Sequence, residues 1–237
     1  MEIKHTEKYL LAYLDLLGVK ECIESDTDDI FLNILSASLK GFENSLKKFM
    51  PLSGIEDCKF KVFSDNIIIA IPCNPMENNH HPVIALNRVQ TAVQWLQSNF
   101  LECGFLTRGG VVYGSLYVDD MFVWGKALID AYNLESKVAR YPRVVIDQSV
   151  LELKKLFYCE DPSFDFLLSM KIREDFDGIF FFDYLNFPKD KDIKVLVNNS
   201  FEDILQRIEA EEDEKILEKY YWHRDYLLFC INERDKD

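Results

Sequence analysis

Short apolar runs alternate along the chain with longer stretches in which apolar residues recur every three or four positions. That pattern predicts a mixed α/β fold. Residues 8–14 are almost wholly apolar, short, and bounded by Asp15-Leu-Leu-Gly18, so they read as a buried strand. From Ser25-Asp-Thr-Asp-Asp onward, Ile30, Leu32, Ile34, Leu35, Leu39 and Phe42 fall on one helical face, until Pro51, Ser53 and Gly54 break the chain. Two strands, 59–63 and 67–71, flank Ser64-Asp65-Asn66 as a hairpin. A second helix over 83–101 turns Val83, Leu86, Val89, Ala92, Val93, Leu96 and Phe100 inward, and a strand over 105–112 follows it. The order β-α-β-β-α-β is that of a ferredoxin-like unit, with antiparallel pairs and its helices on one side.

Beyond this unit come Gly114-Ser-Leu-Tyr-Val118, a loop with Asp119-Asp120, a helix over 126–138 and a short strand at 143–146. Asp147 is suited to cap the next helix. The aromatic run from Gly178 to Leu185 predicts a late strand paired with 167–172. One long charged helix over 200–233, carrying the acidic patch 209–214, is expected to end the chain.

Composition narrows the choices. The 237 residues are 48% hydrophobic and 14% aromatic, enough for one sizeable core and no more than two domains. A net charge of −14 argues against a broad nucleic-acid footprint, so no nucleic-acid partner is expected. It does not exclude a nucleotide, because bound metal ions offset repulsion locally. No apolar run approaches the ~18 residues of a membrane span, and the first residues lack a signal-peptide stretch. No membrane association and a cytoplasmic location are expected. The six cysteines are scattered without a Cys-x-x-Cys pair, which gives a zinc site no support.

The candidate chemistry lies at strand ends. Asp15 ends the first strand and Asp65 sits between two apolar runs. Acids in such places are costly to bury unless something positive sits against them. Brought together by sheet pairing, they would suit hard divalent cations, the ions of triphosphate chemistry. Gly18 lets the chain turn and approach a ligand closely. Lys61, four residues before Asp65, should look to the same side if both lie on one strand. It reads either as a donor to a base carbonyl or as a solvated lysine. Arg108, before Gly109 and Gly110 on a central strand, needs an anion, and a triphosphate and a carboxylate both remain open. Lys126, Arg140, Arg143 and Lys171 read as surface charges with a phosphate-binding alternative.

Four segments, Leu14-Asp15-Leu16-Leu17-Gly18, Phe63-Ser64-Asp65, Arg108-Gly-Gly-Val-Val-Tyr-Gly114 and Gly125-Lys-Ala-Leu-Ile-Asp-Ala-Tyr-Asn-Leu-Glu135, resemble in order and spacing the catalytic domain of class III nucleotidyl cyclases. The resemblance spans roughly 8–186 and is closest to the pyrimidine cyclases of Pycsar anti-phage defence. It implies a catalytic domain over 1–190 and a C-terminal helical extension over 191–237. It also implies two Mg²⁺ or Mn²⁺ ions held by Asp15, the Leu16 carbonyl and Asp65. Arg108 would act in catalysis, and Gly18, Lys61 and Asn133 would bind substrate. The implied partners are a pyrimidine nucleoside triphosphate, a second copy in a head-to-tail homodimer, and a separate effector that senses the cyclic product. UTP is favoured because uracil offers two carbonyls to Lys61.

The chain departs from purine cyclases in that family. Their helix after the Gly125 position carries Asn and Arg four apart, where this chain has Ile129 and Asn133. Their base-reading acid is replaced by Phe122. The arginine's role would pass to Arg108, Arg140 or Lys126. The alternatives are a cytidylate cyclase, an adenylate or guanylate cyclase, and, from another class, an inactive module that binds nucleotide or protein.

Overall fold

Alternation along the first strand decides the architecture. In β1 (Glu7–Leu17), Leu10, Ala12, Leu14 and Leu16 face one way while Tyr9, Leu11 and Tyr13 face the other, and both rows pack against further residues. A strand covered on both faces needs neighbours at both edges and helices above and below. The computed structural model describes residues 3–49, 58–158, 171–185 and 191–234. After β1 come α1 (Val19–Ser25), α2 (Ile30–Phe49), β2 (Lys59–Phe63), β3 (Asn66–Pro72), α3 (Pro82–Glu102), β4 (Leu106–Val118), β5 (Val123–Trp124) and α4 (Lys126–Lys137). Then follow β6 (Val144–Ile146), α5 (Gln148–Tyr158), β7 (Ile172–Glu174), β8 (Phe180–Phe182), α6 (Lys191–Ala210) and α7 (Glu214–Arg234).

The sheet runs β2-β3-β1-β4-β6-β8-β7, with β5 paired to β4 off this path. Its first four strands are antiparallel neighbours with α2 and α3 on one face, the expected ferredoxin-like unit. The β4–β6 pair is parallel, and the intervening α4 crosses on the opposite face, where Ala127 and Ala131 pack with Leu11 and Val112. Small residues let α4 lie close to the sheet. Gly110 takes this further, since a Cβ there would come within 2.8 Å of Leu134.

Several expected elements change shape. Gly114-Ser-Leu-Tyr-Val118 continues β4 instead of forming a separate segment, because pairing with β1 extends to Leu116 and with β5 to Val118. The stretch after Gly18 forms two helices: α2 begins at Ile30, where the Asp26 carboxylate accepts the Phe31 and Leu32 N–H groups. Asp147 caps α5 as expected, accepting the Ser149 N–H at 2.8 Å. The late strand is short and pairs with Ile172–Glu174, while 167–170 lie outside the described residues. The single terminal helix is two. They part at Glu211–Asp213, where the acidic patch supplies a cap: Asp213 accepts the Lys215 N–H at 2.7 Å.

Both C-terminal helices belong to a second hydrophobic cluster. Val197 and Ile204 of α6 and Trp222, Tyr226, Leu227 and Cys230 of α7 pack with Leu101, Leu106, Tyr141 and Phe181, and Leu17 of β1 packs against this group. Arg143, read from sequence as a surface charge, is wholly buried here and pairs with Asp175 and Asp177. The Trp222 Nε1–H also donates to Asp175, at 2.7 Å, so the arginine ties the β7–β8 turn to α7. Among the described residues no helix is long and apolar enough to cross a membrane.

His223 of α7 is 1% exposed, neither ring nitrogen has a hydrogen-bond partner among the described residues, and burial pulls its pKa down to about 3. The unfolded chain takes up a proton near 6.5 that the native state refuses until about 3, so acidification below 6.5 favours unfolding. Urea midpoints should fall from pH 6.5 towards 4. A His223→Leu variant should lose a part of that slope approaching ~1.4 kcal/mol per pH unit. Identical slopes in the two proteins would contradict this account.

Candidate active site

The sheet register assembles the site. Asp15 of β1 lies opposite Asn66 of β3 and Arg108 of β4. Directly opposed residues share a face, so these side chains look to the side that carries α4. The Leu16 N–H donates to the Asp65 carbonyl at 3.0 Å, tying the end of β1 to the β2–β3 corner. Ser64 makes that corner with a positive φ of 57°. The Tyr13 hydroxyl donates to Asn66 Oδ1 at 2.7 Å, and Asn66 Nδ2 donates to Asp65 Oδ1 at 2.9 Å. Tyr13 rests edge-on against Tyr132 of α4.

Helix α4 adds a third acid. Ala127, Ala131 and Glu135, each four apart, are its buried residues, so Glu135 points at the sheet. Arg108 joins the elements: its Nε donates to Asp15 Oδ2 at 3.0 Å and its Nη2 meets Glu135 Oε1 at 2.8 Å. The anion that Arg108 requires is thus supplied by carboxylates of its own chain.

The electrostatics of this cluster are unbalanced. Burial raises the Asp15 carboxyl above its ordinary range, Arg108 opposes the shift, and the charge of Asp65 adds to it. Burial likewise raises Glu135, against Arg108 and with Asp15 and Asp65. Burial and these acids push the Tyr13 phenol up to about 12. Two carboxylates on one guanidinium, with the charge of Asp65 felt by both, leave an excess of negative charge that an added cation would relieve. Among the described residues no three His, Cys, Asp or Glu side chains gather as a metal cage. Mg²⁺ needs none when one or two carboxylates share it with phosphate oxygens and water. The oxygen donors present suit a divalent cation shared with a polyphosphate.

The other candidates fall in different places. Gly18 has φ 80°, ends β1 and has open space where a side chain would stand. Lys61 and Asp65 are not on one strand: β2 ends at Phe63 and a turn intervenes, so the four-residue spacing does not align them. Lys61 nevertheless pairs opposite Ile68, itself opposite Tyr13, so it shares the site's face by register. Its Nζ donates to the Asp120 carbonyl at 2.8 Å. Asn133 lies on the side of α4 away from buried Glu135, near exposed Ile129, and is not brought to the carboxylates of its own chain. Lys126 pairs with Asp130, and Arg140 with Glu218.

Glu135, Tyr13 and Asn66 complete the site without having been singled out from the sequence. The signal for Glu135 was present: an acid in register with two alanines on a buried helical stripe requires a cation. Tyr13 and Asn66 carry no comparable signal, since their bond depends on strand register.

No family model matches this chain, and no curated protein matches it. Solved structures do. The guanylyl cyclase domain of the RhoGC fusion protein from Blastocladiella emersonii superposes with a TM-score of 0.54 at 11% identity, covering 77% of this chain and 98% of that one. The guanylate cyclase domain of RhGC from Catenaria anguillulae, solved with GTP, gives 0.50 at 12%, covering 65% and 85%. A rhodopsin-guanylyl cyclase core of converted specificity, solved with ATPαS, gives 0.50 at 13%, covering 65% and 84%. The fold is that of the class III cyclase catalytic domains.

The raised carboxyls set a testable sign. A group whose folded pKa is raised contributes stability that is lost as pH rises, so ionised Asp15 and Glu135 weigh against the metal-free fold at neutral pH. Asp15→Asn should melt at least as high as the wild type at pH 8 in chelator. It should also lose most of the melting-temperature gain that Mn²⁺ gives the wild type. An unchanged Mn²⁺ response in the variant would contradict the site described.

Proposed function

We propose that the protein is a nucleotidyl cyclase that converts a pyrimidine nucleoside triphosphate, UTP before CTP, to the 3′,5′-cyclic monophosphate and pyrophosphate. The observation that carries this reading is the convergence of Asp15, near the end of β1, and Asp65, at the β2–β3 corner, in a cluster with excess negative charge, on a class III cyclase fold. Asp15, the Leu16 carbonyl and Asp65 would hold the metal ions. When bound, such ions acidify the ribose 3′-hydroxyl and offset charge on the departing pyrophosphate. The bond formed joins O3′ to the α-phosphorus, and the bond broken is that from the α-phosphorus to the oxygen bridging to the β-phosphate.

The chain's own residues serve this reaction by position. Arg108 holds Asp15 in place, and the Tyr13–Asn66 pair holds Asp65. Gly18 leaves room for phosphate beside the backbone. Lys61, whose ammonium already binds an amide carbonyl, would exchange it for a carbonyl of the base. Asn133 on the outward side of α4 supports a site completed by a second copy. So do Phe63, opposite Asn66, and Met121, next to the Asp120 that Lys61 reaches, large apolar residues that are 81% and 91% exposed. The pyrimidine preference and a role in anti-phage signalling rest on the sequence resemblance, with Phe122 in place of the purine-reading acid.

A module that binds without turnover is the second reading, because Arg108 is already neutralised by Asp15 and Glu135. Incubating the protein with each of the four ribonucleoside triphosphates and Mn²⁺, with mass-spectrometric readout, separates the two. A cyclic pyrimidine monophosphate from the wild type, absent with Asp65→Ala, is the expected result. Nucleotide binding without any cyclic product would favour the module.

A further inference from the structure

Among the described residues the carboxylate cluster holds one cation, Arg108, and that cation is committed. Both Asp15 and Glu135 hold the Arg108 guanidinium, so little of its charge remains for a polyanion. A substrate with several phosphates would need another positive group at the same place. Helix α7 has one. Its buried stripe reads Trp222, His223, Tyr226, Leu227 and Cys230, and Lys219 stands one turn before Trp222 on that stripe.

The position of α7 places the head of this stripe near the site. Leu17, two residues beyond Asp15 on the same face of β1, packs against the cluster that the α7 stripe enters together with Leu106, Tyr141 and Phe181. Glu218 accepts the Arg140 Nη2 at 2.6 Å and the Tyr141 hydroxyl at 3.2 Å, and Tyr141 stacks on Trp222 with ring centroids 5.8 Å apart. The first turns of α7 are therefore pinned between the chain after α4 and the end of β1. Arg143, whose acidic turn Trp222 also reaches, is joined by its carbonyl to Gly109, next to Arg108, so this end of α7 lies on the Arg108 side of the site. Lys219 is half-buried, and among the described residues no ion pair occupies its ammonium.

We infer that Lys219 is a polyphosphate-binding residue of this site, contributed by the C-terminal extension. The inference rests on the nucleotide-cyclase reading. A lysine ammonium is a compact point charge on a flexible stem, suited to oxygens whose positions change as pyrophosphate leaves. It also supplies a cation that α4 lacks at Ile129 and Asn133.

The test is calorimetric titration with inorganic tripolyphosphate in the presence of Mn²⁺, on the wild type, Lys219→Met, Lys219→Gln and Lys219→Arg, with melting curves for each. The expected result is an affinity about tenfold lower in the Met and Gln variants, largely restored in the Arg variant, at unchanged melting temperature. Wild-type affinity in the Met and Gln variants would overturn the inference and leave the cyclase reading standing. A lower melting temperature with unchanged affinity would also overturn it, reducing Lys219 to a support of α7. Failure of the wild type itself to bind tripolyphosphate would remove the polyphosphate site, and both readings with it. The Gln variant guards against misfolding of the Met variant.

Discussion

The contact on which the site depends is one guanidinium held between two carboxylates. Arg108 reaches Asp15 on the neighbouring strand and Glu135 on the helix above, so it fastens β1, β4 and α4 at a single point. Burying any one of these charges alone would be costly, and removing the guanidinium would leave two part-buried carboxylates uncompensated, a loss that typically costs ~3–5 kcal/mol. The arrangement does not balance even when complete, because Asp65 adds a third acid. A fold optimised only for stability would place apolar groups here. The retained imbalance gives the site its electrostatic preference for cations.

How much of this was legible in the sequence follows from the range of each interaction. Elements built by local periodicity were readable: the first strand, the hairpin around Asp65, the second helix and the cap at Asp147 all appear, though β1 runs through Asp15 to Leu17 instead of ending at the acid. The ferredoxin-like order followed from these. What escaped was non-local. Whether Arg108 meets phosphate or carboxylate depends on a register that sets it opposite a residue 93 positions earlier. Arg143 looked like a surface charge because nothing nearby in sequence reveals the Asp175–Asp177 turn that receives it. The acidic patch at 209–214 looked like helix surface, yet Asp213 is more useful as a cap, where its carboxylate satisfies a free N–H.

The same reasoning applies to Lys61, whose side of the sheet does not follow from its spacing to Asp65. The four-residue spacing to Asp65 crosses a turn, so periodicity along the strand does not apply. Lys61 shares the site's face because β2 pairs with β3 and β3 with β1, and each pairing preserves the face. Register, not spacing, carries side chains into this cleft. A one-residue slip of β1 would send Asp15 to the α2–α3 side and leave Arg108 facing a leucine.

The second hydrophobic cluster has a consequence for the order in which the protein is made. Leu17 leaves the ribosome long before Trp222 and Tyr226 of α7, the helix that enters the cluster it packs against. Arg143, buried in mid-chain, likewise waits for Trp222 to close over its acidic turn. Domains form as units during synthesis, and contacts between distant segments are paid for late in loop-closure entropy. The ferredoxin-like unit can gather while the chain is still growing, but the ground beside Asp15 is finished only when α7 arrives. Translation through α7 thus becomes a condition for completing this cluster, and a product that stopped short of α7 would carry the acids without the helix that closes the cluster beside Leu17.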